Sequence, residues 1–383
     1  MSVLAGVKVI EIEGIGPGPF CAMLLADLGA DVVLVQRTRS AGDITDLGGA
    51  AIQHRGKRSI AVDLKSPQGV QVVLQLTGQA DCLIEGMRPG VMERLGLGPD
   101  ACLARNPRLV YGRVTGWGQT GPLAHAAGHD LNYLGLSGAL WYASPSGTAP
   151  YTPPTVVGDV AGGALYLAIG VLAGILSARA TGTGQVVDAA IVDGAAHMLN
   201  LLLGLRAAGS LEIERGASII DGSHWSATYR CADGRFVAVQ ALEPRFYAVL
   251  LEHLGLDADP DFARQYDPRS WPRARQRLAE LFATRSRDAW CALLEGTDAC
   301  FAPVLDPEEA ARHPHNVARG AFSNADGMLQ ANPAPRFSKS SPPVHARPVP
   351  RRGEHTHEVL RAAGFDDEQI DSLVARGAVA APR

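Results

Sequence analysis

The sequence lacks the features that mark several common protein classes. Charged residues are only 19% of its 383 residues, which is low for a disordered chain. The formal net charge is −4 and no long basic run occurs, so nucleic acid is not an expected partner. No G-x-S-x-G, P-loop or H-E-x-x-H motif is present, which removes the usual anchors of hydrolases, kinases and zinc proteases. The hydrophobic content of 46% and the length suit two globular domains.

Metal and disulfide patterns are missing as well. The 6 cysteines are scattered without a C-x-x-C pair, and no histidine cluster has zinc-finger spacing. The His313/His315 and His355/His357 pairs are too isolated to indicate a metal, so we predict no metal site. Residues 1–9 carry no signal-peptide pattern, and the final Ala-Pro-Arg is not a peroxisomal address. We therefore expect reduced thiols and a cytoplasmic location.

One long apolar run does occur, at residues 160–178. It holds no charged residue and meets the length criterion for a membrane helix. Its glycines and alanines make it only mildly hydrophobic, it stands alone, and no basic loop or aromatic belt flanks it. We expect a buried helix that packs closely through its glycines, and hence no membrane partner. A membrane span is the alternative.

Strands alternate with helices in the first half of the chain. Helical periodicity is present at 20–28 and 66–78, and apolar runs predict strands at 7–13, 31–36, 81–85, 108–115 and 185–190. This alternation predicts an α/β fold with a parallel, doubly wound sheet.

The second half of the chain has a different pattern. It predicts a helix at 192–208, a hairpin at 229–239 around an Asp-Gly turn, and further helices within 244–294. An extended connector at 332–353 and two short helices, at 355–363 and 366–375, end the chain. The expected domains are a large one at 1–190 completed by 330–383, linker helices at 191–226, and a smaller α+β domain at 227–329.

The most informative residues are His129 and Asp159, each of which follows a glycine. An imidazole and a carboxyl group that face each other across a substrate carbon can remove one proton and return another, which suggests proton abstraction beside a carbonyl. Asp130 is a third candidate catalytic residue. Structural alternatives stay open: a purely structural His129, Asp130 as a helix N-cap, and Asp159 as the cap of the apolar helix.

The nucleotide-binding signals are weaker. The turn Gly14-Ile-Gly-Pro-Gly18 is not the G-x-G-x-x-G fingerprint. Arg37, not an acidic residue, follows the strand at 31–36, and a guanidinium there suits a phosphorylated ribose, as in NADP or the 3′-phosphate of coenzyme A. A solvated arginine is the alternative. Cations at 55–58 and 85–94 fit a pyrophosphate, or are scattered surface charge.

A series of short motifs spans nearly the whole chain. They are Gly14-Ile-Gly-Pro-Gly-Pro19, Arg55-Gly-Lys-Arg-Ser59, Asp63-Leu-Lys65, residues 85–98, Thr115-Gly-Trp-Gly-Gln-Thr-Gly121, Ala127-Gly-His-Asp-Leu-Asn-Tyr133, Gly184-Gln-Val-Val-Asp188 and Gly353-Glu-His-Thr356. Together they resemble the family III CoA-transferase (CaiB/BaiF-like) superfamily, and within it the racemases of methyl-branched acyl-CoA esters.

The resemblance implies a fold, an assembly and a reaction. The fold is a Rossmann-like large domain plus a small domain. Two chains interlock as a homodimer, with the active site between the large domain of one and the small domain of the other. The implied reaction is racemisation or epimerisation of 2-methylacyl-CoA thioesters, with His129 and Asp159 as opposed acid/base groups and Glu243 orienting His129. Asp159 then needs a raised pKa, which burial would supply.

The resemblance also implies a binding site for CoA, the carrier portion of the substrate, and no separate cofactor. The positions that match CoA contacts are Arg37, Val62, Lys65, Gly86 and Arg94, with Arg88 nearby. In the related CoA-transferases the Asp position is a nucleophile and the His is typically absent, so His129 favours the racemase. A transferase that uses Asp159, and a non-catalytic acyl-CoA-binding protein, are the alternatives.

The sequence departs from these relatives at two places near the expected acyl group. Thr155 stands where Asn is common, and residues 223–226 replace a stretch that often reads differently. We predict that Trp225 and Ser226 shift specificity toward a bulkier acyl group. The alternative is that Trp225 packs in the core of the small domain.

Overall fold

The computed structural model describes residues 2–39, 42, 47, 51–325, 327–340 and 348–381. The strands are β1 (Lys8–Ile12), β2 (Asp31–Gln36), β3 (Arg58–Val62), β4 (Cys82–Glu85), β5 (Val110–Thr115), β6 (Gln185–Ala190), β7 (Ser226–Arg230), β8 (Phe236–Gln240), β9 (Phe301–Val304), β10 (Phe322–Ala325), β11 (Met328–Ala331) and β12 (Val379–Ala380). The helices are α1 (Pro17–Asp27), α2 (Pro67–Thr77), α3 (Val91–Arg94), α4 (Pro99–Arg105), α5 (Asp130–Ser137), α6 (Leu165–Thr181), α7 (Ile191–Met198), α8 (Asn200–Ala207), α9 (Pro244–Leu254), α10 (Trp271–Phe282), α11 (Arg287–Leu294), α12 (Pro307–Arg312), α13 (Pro314–Ala318), α14 (Thr356–Ala362) and α15 (Asp367–Ala375). A 3₁₀ turn spans Ile52–His54 and a π-helix spans Val156–Ala164.

A seven-stranded sheet has the order β12-β3-β2-β1-β4-β5-β6. Strands β1 to β6 are parallel, and β12 pairs antiparallel with β3. The order 3-2-1-4-5-6 is that of doubly wound nucleotide-binding folds, so the predicted α/β fold is confirmed. The chain returns from β3 to place β4 beside β1, which opens a crevice at the carboxyl ends of these two strands.

Two apolar cores lie on the two faces of this sheet. Alternate residues of a strand point to opposite faces, so Val9 of β1 packs in one core while Ile10 and Ile12 pack in the other. Residues of α1 and α6 cover the first face, and residues of α2 and α14 cover the second. Because both faces are covered, the strands read as continuous apolar runs, as the sequence indicated.

The cations at residues 55–58 have a structural role. The Lys57 and Glu11 side chains are fully buried, with Nζ and Oε2 2.5 Å apart. The neighbouring cations are paired in the same way, Arg55 with Asp27 and Arg58 with Asp31. The expectation that these cations meet a phosphate is therefore wrong, because carboxylates of the fold already neutralise them.

The motif at 353–356 connects the C-terminal segment to β3 through hydrogen bonds. The Gly353 backbone N–H donates to Ser59 Oγ at 2.8 Å, and the Ser59 N–H donates to His355 Nδ1 at 3.1 Å. Gly353 has a φ of 72°, and a Cβ there would lie 2.9 Å from the Ala380 carbonyl oxygen. Only glycine fits this close approach.

The apolar run forms one continuous stretch from the π-helix through α6. An 18-residue window within Val156–Thr181 has a mean hydropathy of 2.0, so the stretch could cross a membrane by length and composition alone, a test that core helices of soluble proteins also pass. Its inner side packs on β5 and β6, where a Cβ on Gly170 or Gly174 would collide with a strand valine. This is the predicted packing through glycines. The outer side is open, with Ile169 64% and Leu176 70% exposed.

The chain divides into two compact units. The first holds residues 1–138, 152–198 and 320–383, and the second holds 139–151 and 199–319. The predicted domain bounds differ in four places. Residues 199–226, predicted as linker helices, belong to the second unit, and residues 320–329, predicted in the small domain, belong to the first. The other two differences are residues 139–151 and 191–198. Residues 139–151 belong to the second unit, where the Trp141 Nε1–H donates to the Ile213 carbonyl at 2.6 Å. The predicted single helix at 192–208 is two helices, and α7 belongs to the first unit, held there by a 3.1 Å bond from Val192 N to the Gly116 carbonyl.

The second unit contains the three-stranded antiparallel sheet β7-β8-β9 and its own apolar core. The predicted hairpin is present as β7 and β8. Trp225 is 1% exposed in this core and donates its Nε1–H to the Gln265 carbonyl at 3.1 Å. The prediction that Trp225 lines the acyl pocket is wrong, because its ring fills the interior. Ser226 is half-buried in β7, and its effect on specificity stays a prediction.

Candidate active site

The loops after β1 and β4 line the crevice at the carboxyl ends of the strands. Gly16 has a φ of 69°, a left-handed conformation that favours glycine, and Pro17 begins α1 directly after it. A Cβ on Gly16 would lie 3.6 Å from Asp159 Oδ2. The glycine turn and the N-terminus of α1 therefore belong to the same site as Asp159, where the helix dipole is positive.

His129 stands at the N-terminus of α5. It is the N-cap residue, and its backbone N–H donates to Asn132 Oδ1 at 2.9 Å. The alternative that Asp130 is the N-cap is wrong, because Asp130 is the first residue inside the helix. The His129 side chain is exposed in the single chain. An imidazole held at a helix start but open to solvent can reach a substrate.

Two aromatic rings pack behind His129. Trp117 and Tyr133 meet edge to face with ring centroids 4.7 Å apart, and the Tyr133 hydroxyl donates to the Gly128 carbonyl. A Cβ on Gly128 would lie 2.8 Å from the Tyr133 ring and 3.0 Å from the Trp117 ring. The glycine beside His129 is therefore required by the packing that supports the loop.

Asp159 lies within the π-helix and is half-buried, so it does not cap the apolar helix. Its backbone N–H donates to Asp130 Oδ1 at 2.9 Å. Burial first, and then the negative charge of Asp130, raise the pKa of Asp159 to about 6, while His129 lowers it. A carboxyl group with this pKa can give and take protons near neutral pH, as acid/base catalysis requires.

Thr155 precedes the π-helix in a strained conformation. Its φ is 61°, a left-handed value that is uncommon for a β-branched residue, and its carbonyl accepts from the Val160 N–H at 3.0 Å, five residues on. π-Helical turns are frequent at functional sites. The strained residue therefore lies directly before the π-helix that contains Asp159.

Two adjoining clefts of the first unit meet at Asp159. The acid/base cleft, about 470 Å³, is lined by Asp159, His129, Trp117, Tyr133, Gly86 and Arg88, among others. The arginine cleft, about 560 Å³, is lined by Asp159, Glu13, Arg37, Arg351 and Arg352, among others. Ile15, Gly16 and Thr155 line both. His129 and Asp159 therefore line a cleft directly beside a cationic surface.

The predicted CoA contacts lie along one edge of the sheet, after the carboxyl ends of β2, β3 and β4. Arg37 lines the arginine cleft, and Gly86 and Arg88 line the acid/base cleft. Lys65 and Arg94 are exposed but line neither cleft.

The side chain of Val62 faces away from the surface. It is 1% exposed and packs in the core beneath α14. The predicted contact with CoA stays a prediction, and only the backbone of Val62 can make it.

The sequence analysis missed the contribution of Glu13 and Arg352. Glu13 accepts from the Arg37 backbone N–H and from Arg352 Nη1, each at 2.9 Å, and Arg352 also donates to the Arg37 carbonyl at 3.1 Å. The arginine content of the connector at 332–353 was visible in the sequence. The strand end that it reaches was not, because the contact spans more than three hundred residues.

Glu243 belongs to the second unit. It is the exposed N-cap residue of α9, and its side chain makes no capping hydrogen bond. Its predicted action on His129 stays a prediction.

These features define an α/β protein with nucleotide-binding sheet order and a cleft lined by His129 and Asp159 at the topological switch point. The comparison with known proteins agrees. The model of CoA-transferase family III matches residues 4–356, and the chain belongs to this family. It is 42% identical to the α-methylacyl-CoA racemases of Mus musculus and Homo sapiens, over 97% of this chain and 96% of each relative. The solved structure of a CAIB/BAIF family protein from Brucella suis is 27% identical, with a TM-score of 0.79 over 94% of this chain and 99% of that one.

Proposed function

We propose that this protein is a racemase or epimerase of 2-methylacyl-CoA thioesters. The observation that carries the proposal is that exposed His129 and half-buried Asp159, whose pKa is raised to about 6, line one cleft. The similarity to two mammalian α-methylacyl-CoA racemases supports the isomerase class and the substrate class.

The proposed mechanism is a 1,1-proton transfer through an enolate. The thioester carbonyl acidifies the α-hydrogen. In one direction neutral His129 removes this proton and protonated Asp159 delivers another on the opposite face, and the reverse direction exchanges the roles. The enolate oxygen needs hydrogen-bond donors, for which we propose the backbone N–H groups of Asp130 and Leu131 at the start of α5. The next N–H, that of Asn132, already donates to the His129 carbonyl. The C–H bond that breaks is replaced by a new one, so the reaction is redox-neutral.

We propose that CoA is the carrier portion of the substrate and that no separate cofactor takes part. The arginine cleft supports this, because the exposed Arg37 and Arg351 together suit phosphate groups. The Arg37 side chain is 64% exposed and its Nε lies 3.9 Å from Glu13, so it can turn toward a ligand.

Arg37→Ala is expected to weaken binding of a CoA ester by about 1–3 kcal/mol, the range for a charge-assisted hydrogen bond. If Arg37 contacts the 3′-phosphate, a dephospho-CoA ester should lose much less. Calorimetric titration of both esters measures the difference. Arg108→Ala is the matched control, since Arg108 is exposed and precedes the amino end of β5. Equal losses for the two esters in Arg37→Ala would show that Arg37 does not bind that phosphate.

We also propose that the protein is a homodimer. In this dimer, the Glu243 carboxylate in the small domain of one chain orients His129 of the other chain. The open apolar side of α6, and the exposed Leu201 and Leu203 of α8, support this, because such surfaces mark protein interfaces. The 6 unpaired cysteines fit the reducing cytoplasm that we propose as its location.

A CoA-transferase that uses Asp159 as a nucleophile is the second candidate, and family membership favours it. The test incubates the protein with a 2-methylacyl-CoA and succinate in D₂O. A racemase introduces deuterium at the α-carbon and leaves CoA on its acyl group, which is the result we expect. Transfer of CoA to succinate, with an Asp159 acyl anhydride trapped by hydroxylamine, would establish the transferase instead. A binding protein would do neither.

A further inference from the structure

Asp130 has a buried carboxylate that helix capping does not explain. Its side chain is 6% exposed, although it lies at the first position of a helix, where a solvated carboxylate would be ordinary. Its Oδ2 is buried and has no hydrogen-bond partner among the described residues. Burying a polar atom in this way costs free energy, so the placement of this carboxylate calls for a compensating role.

The other oxygen of Asp130 connects the two halves of the proposed acid/base pair. Oδ1 accepts the backbone N–H of Asp159 at 2.9 Å. The contact is possible only because residue 158 is glycine, since a Cβ there would lie 2.3 Å from the same oxygen. Asp130 directly follows His129, so one side chain joins the helix start that carries the imidazole to the π-helix that carries the carboxyl group.

We propose that Asp130 is a positioning residue for the racemisation: its Oδ1 fixes the Asp159 segment against α5, and its negative charge favours the protonated form of Asp159. This inference rests on the proposed function. The Asp130 side chain acts through Asp159 and touches neither substrate nor the reacting carbon.

The charges around Asp159 support the electrostatic part. His129, Asp130 and Tyr133 face it from α5, Arg88 comes from the loop after β4, and the N-cap of α1 is the uncharged Gly16. The charged groups of the arginine cleft are Glu13, Arg37, Arg351 and Arg352, and there Glu13 is paired with Arg352. Among these groups, Asp130 supplies the negative charge that disfavours ionisation of Asp159. Burial is the larger cause of the raised Asp159 pKa, so removal of the Asp130 charge should lower that pKa without returning it to an ordinary value.

Asp130→Asn and Asp130→Ala separate the two roles. Asn keeps an oxygen that can accept the Asp159 N–H but removes the charge. We expect Asp130→Asn to retain kcat within a few-fold at low pH. In the reaction direction that needs protonated Asp159, activity falls as the pH rises. The midpoint of this fall should move to lower pH by about one unit. Asp130→Ala should show the same shift and a further fall in kcat of about 10-fold at every pH, the lower end of what misplaced acid/base groups lose.

Asp188→Asn is the matched control, because Asp188 Oδ2 also accepts a backbone N–H, from Gln119 at 3.0 Å, but lines neither cleft. It should leave kcat and both pH profiles unchanged. Wild-type pH profiles in Asp130→Asn together with an unchanged kcat in Asp130→Ala would overturn the proposal. Gly158→Ala is a further variant, which displaces Asp130 Oδ1 with both carboxylates present; if it folds with full activity, the positioning role is overturned.

A measurement that does not depend on turnover separates this inference from the proposed function. Carbon-13 NMR of aspartate-labelled protein, with the Asp159 signal identified by Asp159→Asn, follows the titration of that carboxyl group directly. We expect the midpoint to move to lower pH in Asp130→Asn. An unmoved midpoint would refute the electrostatic role even if the wild type racemises. A moved midpoint in a protein that exchanges no α-proton would refute the racemase and keep the coupling.

Discussion

His129→Ala and Asp159→Asn are each expected to slow inversion of a 2-methylacyl-CoA by about 10²–10⁴-fold, the range that a positioned general acid or base contributes. Inversion needs proton removal on one face and delivery on the other, so loss of either group stops it. The group that is left can still remove and return a proton on its own face. His129→Ala should therefore retain solvent exchange with one enantiomer, and Asp159→Asn with the other.

Chiral separation and mass spectrometry of the acyl-CoA, after incubation of each pure enantiomer in D₂O, measure inversion and exchange separately. His125→Ala is the control, because His125 is an exposed histidine in the same loop and lines neither cleft. It should match the wild type. Undiminished inversion in either active-site variant would contradict the two-base mechanism. Exchange confined to the same enantiomer in both variants would contradict the opposed placement of the two groups.

Lys57→Met is expected to destabilise the protein by about 3–5 kcal/mol, because it leaves Glu11 in the core without its counter-charge. Both side chains are fully buried, and Glu11 Oε1 already has no hydrogen-bond partner among the described residues. Burial raises the pKa of Glu11 to about 7, against the attraction of Lys57. An unpaired Glu11 takes up a proton at still higher pH, so the loss of stability relative to the wild type should be largest well above pH 7 and should shrink as the pH falls toward 7.

Urea unfolding followed by circular dichroism measures this effect. Lys65→Met is the matched control, because Lys65 is exposed, and it should change stability by less than about 0.5 kcal/mol. The double variant Lys57→Met/Glu11→Leu should recover most of the loss, since replacement of a buried ion pair by apolar groups is often close to neutral. A Lys57→Met protein as stable as Lys65→Met would contradict the role given to this pair.

The sequence predicts those strands whose own residues form a clear apolar pattern. The strands β1 and β2 are apolar runs bounded by turn residues, and their pattern alone indicates a buried parallel strand. The sequence analysis missed β3, because Arg58–Val62 has only three apolar residues after a cationic motif. Its strand conformation depends on β2 and on β12, which lies more than three hundred residues away. Long-range pairing of this kind leaves no local pattern.

The candidate site was predictable as a set of residue types but not as an arrangement. A histidine and an aspartate beside glycines were visible, yet the reason for Gly158 is the Asp130 carboxylate, which reaches it only in three dimensions. The π-helix could not be predicted either, because its residues have the same apolar composition as those of an ordinary α-helix. Lys57 and Trp225 were misassigned for the same reason: a cation beside a strand end and an aromatic near a loop have the same local sequence whether they are buried or exposed.

The most direct test of the account starts from a single enantiomer of a 2-methylacyl-CoA in D₂O with the purified protein. We predict that both enantiomers lead to the same mixture, and that the inverted product carries one deuterium at the α-carbon because the delivered proton comes from an enzyme group in exchange with solvent. Persistence of the starting configuration without deuterium, under conditions where the ester binds, would contradict the claim that His129 and Asp159 transfer protons on opposite faces of the substrate.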